Sequence, residues 1–369
     1  MLATFSPQTA QDWLNQIQKD LKGKSLEEIL VKNYEDIPIK AFFVKEDVSE
    51  EFSVQINALL KNKPQITLSE EIHNEIKDLL CPAVKFGKTI QEEDWKVFFD
   101  ELNTKDRFFI NLTFLHNAGA NAVQELAFVL ASTDCYLSKA IEKANLETIL
   151  SKMALMLATG ANFFMEIAKL RVAPYLINRL VSFYLPEKQD YLPYIKVQTA
   201  QINKSKQDSY NNIVRATLEA MAASIAQADE IHILPHDYFS DSPDSFSENI
   251  AANILRILHY EAKIDLVKDI AAGTYFLEYL SYQLAQKAWD LFRYIQQEGG
   301  IVNFAEKGLL KKMVLEVALQ KIKDFQEKKI VQIGVNKYPN PKENIAIEKK
   351  TIAYLTEGRD IRTFRFEEF

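Results

Sequence analysis

Asn111, Gln198 and His232 carry side chains able to grip a polar ligand, and each sits in a short run that alternates polar with apolar. Asn111 and Thr113 alternate with Ile110, Leu112 and Phe114, Lys196 and Gln198 with Ile195 and Val197, and His232 with Ile231 and Ile233. Gln332 and Asn336 alternate in the same way with Val331, Ile333 and Val335. Successive residues of a strand face opposite sides, so these runs predict strands with one polar face. The bore of an ordinary parallel barrel is packed with Val, Ile and Leu. A polar inner face therefore predicts a bore shaped around a polar ligand. An antiparallel sheet with one wet face would alternate similarly, but the helical patterns between the runs speak against direct hairpins.

Other clusters point less far. Glu166, Lys169 and Arg171 lie on a helical pattern whose Phe163, Ile167 and Leu170 form an apolar stripe. They read either as a buried pair at a subunit contact or as a solvated helix face. Pro174 falls inside that pattern and predicts a kink or a local end. His232, His236 and Asp237 are spaced loosely like metal ligands, but Pro235 directs a strand-to-loop path and no third His or Cys is near. His232 is thus expected as a polar residue of the bore, with no metal. Asp208 or Ser209 suits a helix N-cap, with Asn211 and Asn212 in the first turn. Gly299-Gly300 lacks the spacing of a phosphate-cradling loop.

The elements that must position these residues can be read from periodicity. Residues 8–33 predict a helical arm with Trp13, Leu14, Ile17 and Leu21 on one stripe, broken at Gly23 and restarting near Ser25. A short strand is expected at 37–44. Residues 46–105 show no assignable architecture beyond a weak helix around 70–80. Further strands are expected at 108–115, 194–200, 230–234 and 329–336. Helices are expected from beyond Gly119 to about 136, then at 147–159, 162–184, 208–227, 246–262, 275–297 and 302–326. Strand alternating with helix predicts an α/β fold with a parallel sheet.

A chain of 369 residues can bury a barrel-sized core, and 47% hydrophobic with 26% charged residues is ordinary for a globular protein. A net charge of −7 provides no basic footprint for nucleic acid or an anionic membrane. No apolar run approaches the ~18 residues a bilayer span needs. The opening residues show no basic region followed by an apolar run, so a cytoplasmic location is expected. Asn111-Leu112-Thr113 and Asn203-Lys204-Ser205 are then accidental matches to the glycosylation pattern. Cys81 and Cys135 are too few for a disulfide framework and are expected as buried free thiols.

Several stretches together resemble one family. They are Asn162–Arg171, with its Phe163-Phe164-Met165-Glu166, and Gln207–Arg215, with its Tyr210-Asn211-Asn212. Ala118-Gly119-Ala120, Gln198-Thr199, Gly273-Thr274-Tyr275 and Gly334-Val335-Asn336-Lys337-Tyr338 occur in matching order, after a leader running from Trp13-Leu14 to Lys24. The chain resembles the small, non-catalytic subunit of the methylmalonyl-CoA mutases. The likeness is good over 108–338, weaker over 10–45 and absent over 46–105.

That resemblance implies a (β/α)8 barrel of TIM type, degenerate here, whose bore takes coenzyme A. It divides the chain into an N-terminal arm and linker at 1–45, the barrel at 46–340 and a C-terminal tail at 341–369. In the family, adenosylcobalamin rides on a further domain, and carbon radicals interconvert succinyl-CoA and methylmalonyl-CoA. A Tyr-His pair precedes the Ala-Gly-Ala turn of the catalytic subunit. Aligned through Ala118-Gly119-Ala120, that pair falls on Thr113 and Phe114, as vestigial positions. A phenyl ring donates neither proton nor hydrogen bond. The family's substrate-holding Gln and Arg have no counterpart before residue 108, and the cobalt-ligating Asp-x-His-x-x-Gly does not occur in the chain. The implied role is structural: no cofactor on this chain, adenosylcobalamin on a large catalytic partner subunit, and Trp13 with its stripe packed on that partner. Two other readings stay open. One is an acyl-CoA-binding barrel, for methylmalonyl-CoA or another acyl-CoA, completed by a separate cobalamin-binding chain; the other is a mutase-associated scaffold or chaperone.

Overall fold

The computed structural model describes residues 9–22, 32–64, 66, 75–143, 146–240, 244–343 and 345–369. Helix α1 (Ala10–Asp20) opens on a Thr9 capping box with Asp12 and precedes the antiparallel pair β1 (Lys32–Tyr34) and β2 (Ile37–Ile39). Glu35 and Asp36 between these strands both take positive φ, as a two-residue loop matched to strand twist requires. Then come α2 (Glu50–Leu60), β3 (Glu75–Ile76), α3 (Leu80–Phe86) and α4 (Glu92–Leu102). The regular part follows: β4 (Arg107–Asn111), α5 (Thr113–Asn117), α6 (Ala122–Glu142), α7 (Leu146–Lys152), β5 (Met153–Thr159), α8 (Phe163–Tyr184), β6 (Tyr194–Thr199), α9 (Asn211–Ile225) and β7 (Glu230–His232). The chain closes with α10 (Ser245–Arg256), a π turn at Ile257–Glu261, α11 (Tyr275–Gln297), α12 (Gly300–Glu306), α13 (Leu309–Gln326) and α14 (Ile352–Thr356).

Strands β3 to β7 form one parallel sheet in strict chain order, each strand beside the one before it. This is the arrangement of a TIM-type α/β barrel, represented among the described residues by an arc of five strands. Phe108, Ile110, Leu155, Leu157, Ile195, Val197 and Ile231 point from one face of the arc into the main hydrophobic core. Each such side chain contributes roughly 1.5–3 kcal/mol on burial. Helices α6 and α9 pack on the strands, α8 packs against both of them, and α11 packs across α6 and α8 as a further layer. Helix α6 starts on a capping box in which Asn121 and Gln124 satisfy each other's backbone N–H. No helix among the described residues is long and apolar enough to cross a membrane.

The structure corrects several expectations. Residues 147–159 are not one helix: α7 ends at Lys152 and Met153–Thr159 is the most buried strand of the sheet. Such a strand, apolar on both faces, has no alternation to betray it. The strand at 108–115 stops at Asn111, and Thr113 and Phe114 belong to α5. Residues 329–336 form no strand, because the Asn336 side chain bonds Gln332 N–H and the carbonyls of Phe325 and Ile330 in a compact turn. The strand at 37–44 is confined to β2, helix 246–262 becomes a π turn after Arg256, and helix 302–326 is interrupted at Lys307-Gly308. Helix α8 runs on through Pro174 to Tyr184 without ending there. Tyr210, not Asp208 or Ser209, stands at the N-cap of α9, and the Asp208 carboxylate accepts from Asn211 Nδ2 instead. Cys81 and Cys135 are half-buried, and burial, seconded by Asp78 and Asp134, pushes their thiols up to about 11 and about 12. The expected break at Gly23 and restart at Ser25 lie outside the described residues, as do residues 70–74 of the weak helix expected at 70–80, whose described part opens with β3.

Gly119 shows how tightly the α5–α6 turn is built. Its φ of +95° favours glycine, and a Cβ there would lie 2.8 Å from Ala318 Cβ and 3.0 Å from Ala318 Cα. Gly119→Ala should therefore cost at least about 2 kcal/mol through strain and overpacking. A urea-unfolding midpoint unchanged from the wild type would contradict this account of the turn.

Candidate functional site

The second face of the arc is polar, as the alternation predicts for β4, β6 and β7. Register sets Asn111, Met156, Lys196 and Glu230 in one row across four strands, and Ala158, Gln198 and His232 in the next. Phe109, Ala154 and Tyr194 form the row before. The Arg107 guanidinium stacks 3.9 Å above the Tyr194 ring. Tyr194 donates its hydroxyl to Glu230 Oε2 at 3.0 Å, and Lys196 Nζ lies 2.7 Å from Glu230 Oε1. Asn111, Met156, Lys196, Gln198 and His232 are only half-buried, in contrast to the opposite face. Gln198 and His232 are register neighbours. Asn111 shares their face two strands away, with its Oδ1 taken by the Thr113 N–H and hydroxyl at 3.2 and 2.8 Å. Gln332 and Asn336 lie in the turn and take no part in this face.

Active sites of parallel barrels lie where strand C-termini meet the following loops. Here that rim holds a buried charge network that joins Glu166 and Lys169 to His116 and Glu125, two residues the sequence did not single out. Lys169 on α8 places its ammonium 2.9 Å from Glu125 Oε2, 2.6 Å from Glu166 Oε2 and 2.8 Å from the carbonyl of Ala158, the penultimate residue of β5. His116 on α5 brings Nδ1 within 2.8 Å of Glu125 Oε1. The imidazole tip packs on Gly160, where a Cβ would come within 2.5 Å of Nε2. Burial alone would raise the Glu125 carboxyl, but Lys169 and His116 outweigh it and hold it at about 2. The same carboxylates outweigh the burial of Lys169 and raise its ammonium. A proton-transfer group works best with a pKa near the working pH. Glu125 and Lys169 stay ionised at neutral pH, so the network is a brace and not an acid–base pair.

The candidates on α8 are thus neither a solvated face nor a partner contact. Glu166 is 4% exposed, and Lys169 and Arg171 are fully buried inside the chain itself. Arg171 grips both oxygens of Asp269 at 2.9 Å and reaches Asn57 at 2.8 Å. Thr113 and Phe114 form the start of α5; the Phe114 ring is buried, with Lys85 Nζ 5.7 Å from its centroid. His236 lies against the Tyr210 ring at 4.9 Å. Trp13 packs 4.0 Å from the Phe42 ring of its own chain.

Residues 361–369 cross the rim as a strap. Ile361 N–H donates to the Lys85 carbonyl, Phe364 N–H to Asn117 and Phe366 N–H to Ile202. Phe364 and Phe366 bury their rings with Ala200, Ile202, Ala318, Ile322 and Phe325 in a second, smaller core. Sequence reasoning missed the strap and the His116–Glu125–Lys169 network alike, because their partners are drawn from distant segments.

The methylmalonyl-CoA mutase family model matches residues 100–365. The chain is 37% identical over 226 residues to a methylmalonyl-CoA mutase of Rhizobium meliloti, covering 61% of this chain and 32% of that protein. It is 33% identical over 247 residues to the methylmalonyl-CoA mutase small subunit of Porphyromonas gingivalis, covering 66% and 40%. Against the large subunit from the same organism it is 32% identical over 264 residues, covering 69% and 36%. The chain thus spans between about a third and two fifths of the length of these relatives.

Lys169→Met would leave two carboxylates buried without their cation, which costs about 3–5 kcal/mol at neutral pH. The Glu125 carboxyl is depressed, so its stabilisation is complete above its unfolded value of 4.5 and is lost as pH falls toward about 2. The deficit of Lys169→Met against wild type should accordingly be much smaller at pH 3 than at pH 7. Equal deficits in urea unfolding at both pH values would refute the brace.

Proposed function

Because the chain belongs to the methylmalonyl-CoA mutase family, we propose that it serves as the non-catalytic small subunit of a mutase heterodimer in the cytoplasm. Its role is to stabilise a large subunit that binds adenosylcobalamin and interconverts succinyl-CoA and methylmalonyl-CoA. The observation that carries this reading is the pair Thr113 and Phe114. At the place of the family's Tyr and His, one side chain is a hydroxyl held by Asn111 and the other is a buried phenyl ring. The phenyl ring has no proton to donate to a migrating thioester carbonyl, and the single O–H of Thr113 is spent on Asn111 Oδ1. The Glu125–Lys169 pair, ionised at neutral pH, offers no substitute, and the strap lies over the rim. The relatives named as small and large subunits in Porphyromonas gingivalis support a two-chain arrangement. Helix α1 buries no residue on its own chain, which leaves Trp13, Leu14 and Ile17 half-exposed for a partner. Obligate interfaces commonly bury more than about 2,000 Å².

A second reading rests on the half-buried polar face. Lys196, Gln198 and His232 line it at adjacent register positions, as an acyl-CoA-binding barrel completed by a separate cobalamin-binding chain would require.

Co-expression with the large subunit should yield a stoichiometric complex through size-exclusion chromatography. Transient association would instead favour a scaffold or chaperone role. The chain alone, supplied with adenosylcobalamin and methylmalonyl-CoA, should show no turnover; turnover at enzymic rates would overturn the non-catalytic reading. Titration calorimetry with a CoA thioester separates the two barrel readings, since a closed bore gives no heat of binding.

A further inference from the structure

The loop between β6 and α9 binds two carboxylates drawn from far along the chain. Lys206 N–H donates to both oxygens of Glu367, at 2.9 and 3.0 Å, and Gln207 N–H reaches Glu367 Oε2 at 3.4 Å. Asp208 N–H donates to Glu343 Oε2 at 2.6 Å. Three successive amides thus converge on anions. Asp208 has φ +50°, and a left-handed residue in a turn curls consecutive N–H groups into an anion-binding concavity.

The loop is held from beneath by contacts that owe nothing to the strap. Lys204 is paired with Glu219 at 2.6 Å, Ser205 N–H donates to Asn212 Oδ1, and Arg215 bonds the Ser205 hydroxyl at 2.9 Å. Asn212 in turn donates to the Ser205 and His236 carbonyls. The amides therefore keep their aim whether or not Glu367 is present. The strap reaches the rim by way of 340–351, a largely irregular stretch. It is seated by Phe364, Phe366, the three main-chain bonds of Ile361, Phe364 and Phe366, and charged contacts: Lys349 on the Glu367 carbonyl, Lys350 on Glu368, and Arg365 on both Glu367 and Glu368. The Phe366 ring stacks on Phe325 at 5.3 Å, so the anion cradle adjoins an apolar seat.

We propose that the Lys206–Asp208 loop is a binding site for an external carboxylate or phosphate bearing an apolar group, and that Glu367 with Phe366 is its internal stand-in. Arrival of such a ligand displaces the strap and opens the rim above β4 and β6. The ligand's oxygens inherit the amide bonds of Glu367, and its apolar part takes the place of Phe366.

Phenyl phosphate carries both features and serves as the probe, with inorganic phosphate and sodium chloride at matched ionic strength beside it. In the unmodified chain, hydrogen exchange at the Phe364 and Phe366 amides should quicken at least threefold with phenyl phosphate and stay unchanged with sodium chloride. The Lys206 and Gln207 amides should stay protected, since the new anion takes their bonds. A response to inorganic phosphate equal to that to phenyl phosphate would remove the apolar seat from the proposal. Glu367→Gln weakens the competing anion and should bind phenyl phosphate at least tenfold more tightly by calorimetry. Unchanged exchange with phenyl phosphate in the unmodified chain overturns the proposal, as does a folded Glu367→Gln that binds no more tightly. Should that variant fail to fold, the exchange experiment decides alone.

Discussion

One ammonium holds the rim of this barrel together. Lys169 lies between Glu125 and Glu166 and also bonds the Ala158 carbonyl near the end of β5, so α5, α6, α8 and the sheet meet at a single buried charge. Two carboxylates in an apolar interior are costly unless a cation satisfies them. That cost makes the geometry demanding: α6 and α8 must dock at one height for all three groups to pair. Gly160 completes the constraint, because only a residue without Cβ lets the His116 ring lie where it reaches Glu125.

Helix α8 is braced on its other side as well. Residues two apart on a helix point in nearly opposite directions, so Lys169 faces the rim while Arg171 faces outward into α2 and α11. There Arg171 binds Asp269, Asn57 and Glu278, and Glu278 in turn accepts from Ser53 and the Gly273 N–H. The outer helical layer and the N-terminal part of the barrel are thus tied to the same helix that anchors the rim. Pro174 sits among these contacts and the helix continues past it, packing on both sides sustaining what the backbone lacks at that point.

The inner face and the rim stand in contrast. The row through Lys196, Gln198 and His232 remains half-buried and polar, whereas the strap and its aromatic side chains lie over the loops at the strand ends. The polar inner face and the buried phenyl ring at position 114 are the two features on which the proposed non-catalytic role turns. The Glu367 carboxylate in the Lys206–Asp208 loop is the point at which that shape is closed by the chain's own anion.

Periodicity in the chain by itself determined most of the alternation of strand and helix from residue 108 and the polar side of β6 and β7, while the resemblance to the family singled out Thr113 and Phe114. These are local properties: side-chain period and residue type need no partner to be read. Met153–Thr159 escaped because burial on both faces erases alternation. Lys329–Asn336 deceived because its polar residues serve a turn. Tertiary structure alone decided that Glu166, Lys169 and Arg171 are interior, that His116 meets Glu125, and that 361–369 closes over the rim. The charge pattern of a helix does not say which side is covered. That depends on partners far away in the chain, and only the closing of long loops around a common core brings them within hydrogen-bonding distance.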